Sequence, residues 1–252
     1  MSRPHLSVVV PAHNEARRLS RSLPTIVAYL RDESLPAEIV VVDDGSGDAT
    51  VETARSALRG FPGRVVSLGE NQGKGAAVRR GVAEASGRWV LMTDADLSTP
   101  MEEHRKLAIV ARDHDLDVVI GSRGLPDSHI EVRQNVVRQT MGKTFNRIIR
   151  LATGLQFRDT QCGFKLMDRE RVQPLFRTMV VDGFAFDVEL LFLCRKFSLA
   201  VREVPVVWRN DPESQVSLLG DPLRMLRDLA RIRWRFRRGG YNPSGDRAAG
   251  EA

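Results

Sequence analysis

Arg88-Trp-Val-Leu-Met-Thr-Asp-Ala-Asp-Leu-Ser-Thr-Pro100 holds a short apolar run, Trp89 to Met92, and closes on two carboxylates, Asp94 and Asp96, with Ala95 between them. A run of that length and composition reads as a buried strand. Such a strand should not finish on paired charges without a partner, because desolvating them is costly. Where strand meets loop, the pair can hold a divalent cation. Mg²⁺ and Mn²⁺ take oxygen ligands and commonly share them with phosphates. The plainer alternative is a strand end whose Asp side chains hold a turn.

Outward from this stretch, strands and helices alternate. Leu6 to Val10 and Glu38 to Val42 read as buried strands, and Arg64 to Leu68 and Asp117 to Ile120 as two more. Between them, helical spacing covers Asn14 to about Arg31, Asp48 to Leu58 with Asp48 as N-cap, Gly75 to Ala85, and Met101 to Arg112. Strands separated by helices of this length build βαβ units and a mostly parallel sheet flanked by helices, a Rossmann-like α/β architecture. Ligands of such sheets bind at the carboxyl ends of the strands. That edge carries Pro11-Ala-His-Asn-Glu15, Asp43-Asp-Gly-Ser46, Asn71-Gln-Gly-Lys-Gly75, Asp94-Ala-Asp96 and Gly121-Ser-Arg123. Several separate polar loops at one edge are hard to explain by structure alone.

Composition bounds the rest. The chain has 252 residues, 42% hydrophobic and 28% charged, with a formal net charge of +6. This is the balance of a globular protein with anionic partners. No run approaches the ~20 apolar residues that span a bilayer. Met1-Ser-Arg-Pro-His5 leads directly into a strand, so no signal peptide is expected. Cys162 and Cys194 lack metal-ligand spacing and fit a reduced, cytoplasmic protein.

Each loop has a chemical reading beside a plain one. Asp43 and Asp44 can accept from a nucleobase or ribose, or simply form an Asp-Gly turn. The glycines around Lys74, at a helix N-terminus, would favour a diphosphate, although the loop is neither GxxxxGK[ST] nor GxGxxG. His13 reads as a surface group rather than a base.

Val8-Val-Val-Pro-Ala-His-Asn-Glu15, Val41-Val-Asp-Asp-Gly-Ser46, Asn71 to Gly75 and Asp94 to Asp96 resemble the inverting family 2 glycosyltransferases of GT-A fold. Arg158-Asp-Thr-Gln-Cys-Gly-Phe-Lys165 and Phe184-Ala-Phe-Asp-Val-Glu-Leu-Leu191 are similar to the polyprenyl-phosphate branch, nearest to dolichyl-phosphate β-glucosyltransferases. The resemblance covers about residues 6 to 238. It implies sugar transfer from a nucleotide sugar to a polyprenyl phosphate with Mg²⁺ or Mn²⁺. By that likeness Pro11, Asn14, Glu15, Asp43 and Asp44 contact the nucleoside, and Lys74 lies near base and phosphates. Asp94, Ala95 and Asp96 form the metal–diphosphate motif, and Arg123 lies near the acceptor phosphate. Ser98 stands where mannosyl-type relatives carry Gln, which tilts the donor from GDP-mannose to UDP-glucose. Gln215 stands where relatives carry Lys.

A phosphate monoester is already anionic near neutral pH, so a strong base is optional. The enzyme must align it for in-line attack and neutralise the leaving diphosphate. Arg123, Arg133, Arg138 and Lys165 are the candidate cations for the acceptor. Asp159 is expected to orient the acceptor or bind sugar hydroxyls. Catalysis is expected to centre on Asp96, Asp159 and Arg123. Phe186 to Phe197 reads as an amphipathic helix with Leu190, Leu193, Cys194 and Phe197 on its core face, and with Asp187 facing the site.

In Asp221 to Arg238, Met225, Leu229, Ile232 and Phe236 form one stripe opposite Arg224, Arg227, Arg231, Arg235 and Arg238. A basic amphipathic helix of this kind is expected to lie on a membrane surface. The expected organisation is one domain over residues 1–238. Residues 1–121 form its nucleotide-sugar half, 122–220 its acceptor half and 221–238 its membrane-associating helix; 239–252 form a disordered tail. The expected place is cytoplasmic, peripheral on the inner face of the membrane. A nucleotidyltransferase would carry a glycine- and arginine-rich loop after the first strand, and Pro11 to Glu15 is not one. A basic membrane or nucleic-acid adaptor would leave the edge carboxylates without a purpose. No nucleic-acid partner is expected, because aromatic–basic interleaving is absent.

Overall fold

The computed structural model describes residues 4–131, 146–209 and 220–242. The chain order is β1 (Leu6–Ala12), α1 (Ala16–Asp32), β2 (Ala37–Asp43), α2 (Thr50–Ala57), β3 (Gly63–Ser67), α3 (Lys74–Glu84), β4 (Trp89–Met92), α4 (Glu103–Asp113), β5 (Val118–Ser122) and β6 (His129–Ile130). Residues 146–153 are helical and belong to α5. There follow β7 (Lys165–Asp168), α6 (Arg169–Thr178), α7 (Phe186–Lys196), β8 (Val201–Pro205), β9 (Val207–Trp208) and α8 (Gly220–Arg237).

Seven strands form one sheet in the order β3-β2-β1-β4-β7-β5-β8. All neighbours are parallel except β7, which runs antiparallel to β4 and β5. A second, two-stranded sheet pairs β6 with β9. The chain winds outward from β1 to β3, then crosses to the other side of β1 for β4. Loops leaving β1 and β4 diverge at that point and leave a crevice, as open α/β sheets do. β7, from the expected acceptor half, enters the middle of the sheet.

The valine-rich strands are buried on both faces, which explains their continuous apolar runs. Val9, Val40, Val42, Val90 and Met92 face a layer with α3, α6, α7 and α8. Val8, Val10, Ile39, Val41 and Leu91 face α1, α2 and α4. The alternation follows from the two-residue period of a strand. Leu19, Leu23, Ile26, Val27 and Leu30 of α1 are all buried, as their spacing predicts.

Three local expectations are corrected. Asp48 is not the N-cap of α2, a place that Ala49 holds. Its carboxylate instead accepts from the backbone N–H of Thr50 at 3.0 Å and of Ala16 at 3.2 Å, joining the starts of α2 and α1. Helix α7 is not amphipathic: every residue from Phe186 to Cys194 is buried, while Phe197 is exposed. In α8 the stripe of Met225, Leu229 and Ile232 is buried in the core shared with α7, and Phe236 packs edge-on against Phe192 at 5.3 Å. The domain therefore occupies the apolar face expected to meet the membrane. Among the described residues, no helix is long and apolar enough to cross a membrane.

Helices α1 and α4 are joined by a 3.0 Å hydrogen bond between Tyr29 Oη and His104 Nδ1. Burial lowers the His104 pKa from 6.5 to about 4. The folded protein thus binds this proton less readily than the unfolded chain. Its contribution is complete above 6.5 and is lost as the pH falls toward 4, at most about 3 kcal/mol. Urea unfolding at pH 7 and pH 4 should therefore show a smaller acid loss for His104→Gln than for the parent protein. Equal losses would contradict this account.

Candidate active site

β4 delivers Thr93 to the crevice, where its N–H donates to the Val9 carbonyl. The chain then turns sharply. Leu97 sits at φ +48°, its N–H donates to the Asp94 carbonyl, and the Ser98 N–H donates to Asp96 Oδ1 at 2.9 Å. The turn therefore holds Asp94 and Asp96 together. Burial and the neighbouring Asp94 charge push the Asp96 carboxyl above its ordinary value, partly opposed by its bonds to Ser98. Burial also opposes charge on Asp94. The Lys74 ammonium, 2.6 Å from Asp94 Oδ1, outweighs it with help from Lys165 and Arg123, and holds that carboxyl below the usual range. Asp94 is thus ringed by three cations from three different elements or loops.

Gly163 lies directly against the Asp94 carboxylate, and a Cβ there would collide with both of its oxygens. Gly163→Ala should displace Asp94 and slow turnover by about 100-fold, the scale on which misplacing a reacting group acts. The melting temperature should barely change. Turnover within threefold of the parent would refute the steric account.

The acceptor-side candidates converge less completely. Arg123 forms a two-pronged ion pair with Asp159, Nε to Oδ2 at 2.6 Å and Nη2 to Oδ1 at 2.8 Å, and its backbone N–H donates to the same carboxylate. Its guanidinium also lies 5.4 Å from the Trp208 ring centroid. Burial works against both charges, yet each partner outweighs it: the Asp159 carboxyl is held low and the Arg123 guanidinium firmly protonated. A third of the Arg123 side chain, 32%, remains exposed. Lys165 is not at the surface. It is fully buried, donating to the Cys162 carbonyl and to Asp187 Oδ1 at 2.5 Å, and its charge acts on Asp94 and Asp159. Arg133, Arg138 and Gln215 lie outside the described residues.

On the nucleoside side, Pro11 is the sixth residue of β1 and pairs with Val42. Asn14, at φ +54°, accepts the Gly47 N–H on its side-chain oxygen at 2.8 Å. Glu15 pairs with Arg18 at 2.8 Å. The two aspartates after β2 are turned inward. Asp43 accepts from the Ser46 N–H and the Ser67 hydroxyl, and Asp44 from the N–H groups of Gln72 and Gly73. Both are nearly buried, at 2% and 4% exposure. Asp44 therefore braces the Asn71–Gly75 loop rather than opening toward a nucleoside.

The phosphate cradle expected at the start of α3 is likewise taken. The N–H groups of Gly75 and Ala76 donate to the Asp182 carbonyl at 2.6 and 3.2 Å. Gly73, at φ +110°, allows that carbonyl to approach. His13 donates from Nδ1 to the Asp44 carbonyl at 2.7 Å and accepts the amides of Asn14 and Asn71 on Nε2, which makes it a brace between loops.

Two residues near the site went unassigned from sequence. The Arg18 charge acts on Asp96, and its place one helical turn after Glu15 was the available signal. Gly163 lies inside the Arg158–Lys165 motif, but its partner Asp94 is distant in sequence.

Compared with known families, residues 7–176 match Glycosyl transferase family 2. The dolichyl-phosphate beta-glucosyltransferase of Dictyostelium discoideum is 34% identical over 244 residues, 92% of this chain and 75% of that one. The Drosophila melanogaster protein of the same name is 36% identical, over the same shares. Among solved structures, glucosyl-3-phosphoglycerate synthase from Mycobacterium tuberculosis superposes with a TM-score of 0.69 at 22% identity, covering 91% of this chain and 80% of that one. Mannosyl-3-phosphoglycerate synthase from Rubrobacter xylanophilus gives 0.67 at 24%, covering 94% and 74%.

Proposed function

The chain belongs to glycosyl transferase family 2 and has its GT-A fold, and on that premise we propose that it moves glucose from UDP-glucose onto a polyprenyl phosphate of the dolichyl type, with inversion to a β-linkage. The observation that carries this reading is the Arg123–Asp159 fork, partly exposed beside Asp94. A fixed, partly exposed cation of this kind suits an anionic acceptor.

A divalent cation is implied by the family, and crystals of the M. tuberculosis enzyme hold Mn²⁺ with UDP-glucose. The donor set here fits Mg²⁺ or Mn²⁺. Asp94 and Asp96 are close enough for one charge to raise the other's pKa, and a cation between them would relieve that repulsion. Among the described residues no group of three or more His, Cys, Asp or Glu could hold a metal, so diphosphate and water would complete the shell. When bound, the cation would neutralise charge on the departing diphosphate.

The chain's own residues do the rest. Arg123, locked by Asp159 and Trp208, orients the acceptor phosphate without having to order itself. An oxygen of that phosphate attacks the anomeric carbon, the bond to UDP breaks, and configuration inverts. The nucleophile is already ionised, so no protein base is needed, and His13 is held as a brace by its bonds to Asp44, Asn14 and Asn71. Ser98, standing where the mannosyl-type relatives of the resemblance carry Gln, favours glucose over mannose. A lipid acceptor would bring the enzyme to a membrane, and the two buried free cysteines support its cytoplasmic face.

The test is transfer of radiolabel from UDP-glucose and from GDP-mannose to a polyprenyl phosphate, with and without Mn²⁺. Label from UDP-glucose in the lipid phase is expected. Label from GDP-mannose alone would replace the donor assignment, and label from neither would overturn the reading.

A further inference from the structure

Five of the seven large hydrophobic side chains exposed among the described residues gather on three neighbouring elements. Ile148 and Leu151 belong to α5, Phe197 follows α7, and Leu226 and Trp234 belong to α8. These elements are tied together. Arg233 donates to the Ala152 carbonyl, Arg195 to the Gly154 carbonyl, and Phe192 of α7 meets Phe236 of α8. Leu151 is 79% exposed and Trp234 57%, and the Arg238 guanidinium covers the Trp234 ring at 4.4 Å.

Charge singles out the same face. Residues 146–153, 195–200 and 224–238 hold eleven arginines and lysines against one carboxylate, Asp228. With +6 on the whole chain, the rest of the molecule is net acidic. Exposed Trp and Leu among arginines suit a lipid headgroup region, where the rings sit at the interface and arginine stems extend to phosphates. Both helices also touch the acceptor motif. Asn146 of α5 donates to the Arg158 carbonyl at 2.6 Å, and Met225 of α8 takes the Gln161 amide on its sulfur at 3.8 Å.

We propose that the face centred on Leu151 and Trp234 docks on an anionic bilayer, beside the loop that carries Asp159. This rests on the lipid-phosphate reading and deepens it. It also replaces the apolar stripe expected from sequence, since Met225, Leu229 and Ile232 are inside the domain. Each arginine near an anionic leaflet contributes on the order of fivefold in partitioning.

The experiment is co-sedimentation of the full chain with mixed phosphatidylcholine–phosphatidylglycerol vesicles and with pure phosphatidylcholine vesicles. The parent protein should bind the mixed vesicles and only weakly the neutral ones. Leu151→Ser/Trp234→Ser should lower binding by about tenfold or more. Arg227→Glu/Arg237→Glu should do the same in low salt. Both variants should melt with the parent and retain turnover of a short-chain, water-soluble polyprenyl phosphate. Unchanged vesicle binding in both variants would overturn the proposal. So would a parent dimer that binds no vesicles and that the Leu151→Ser/Trp234→Ser exchange dissociates. If the parent binds mixed vesicles but transfers no glucose to the soluble acceptor, the docking face stands and the enzymatic reading falls.

Discussion

Asp96→Asn is expected to slow glucose transfer by about three orders of magnitude while leaving the fold at least as stable as before. Asp94 already has a cation, Lys74, at 2.6 Å. Among the described residues Asp96 is supported by Ser98 and the more distant Arg18, and it faces burial and the Asp94 charge. Its folded pKa lies above the unfolded value, so the folded state takes up this proton more readily. Stability therefore falls as the pH rises from the unfolded value through the folded one, and remains lower at neutral pH. Asparagine is neutral throughout and removes that cost. It also removes the oxygen donor that a divalent cation needs. The parent protein should gain melting temperature with added Mn²⁺, and the variant should not. A variant with turnover within tenfold of the parent, or with an undiminished Mn²⁺ shift, would sink the assignment.

The largest effect on stability should come from Asp187→Ala. Lys165 is fully buried, and Asp187 is its one anionic partner at hydrogen-bond distance among the described residues. Removing one member of a buried pair strands the other charge, at a cost of about 3–5 kcal/mol. Burial nevertheless pushes the Asp187 carboxyl above its ordinary value, despite Lys165 and Lys74 nearby. The attraction thus falls short of the desolvation. Lys165→Met with Asp187→Leu should accordingly recover most of the loss, which urea unfolding of the single and double variants would measure. A loss below about 1 kcal/mol for Asp187→Ala would contradict the account.

Much of the sheet was legible because parallel strands buried on both faces must be continuous apolar runs. Trp89–Met92 is β4 to the residue. β7 escaped notice for the opposite reason. It opens on a buried lysine, Lys165, which closes the Arg158–Lys165 chemical motif and so draws no strand reading. The site's carboxylates were legible as a set but not by role. Asp44 and Asp94 look alike in sequence, each at the end of a strand. What separates them is whether distant backbone N–H groups, here those of Gln72 and Gly73, already fill the oxygens. The period of α8 identified its apolar side correctly. Periodicity says which side is apolar and not what covers it, and here the cover is α7.

Lys165 at the start of β7 pairs with Met92 of β4 on one side and Ile120 of β5 on the other. The donor motif leaves the first of those strands and Arg123 leaves the second, so a single residue sets the gauge between them. Two ladder spacings amount to roughly 10 Å. That span is fixed by backbone hydrogen bonds, not by loops that could flex to suit a guest. On the proposed reading this interval is the one a transferred sugar would have to span, and slipping β7 by one residue would shift both neighbouring strand ends at once.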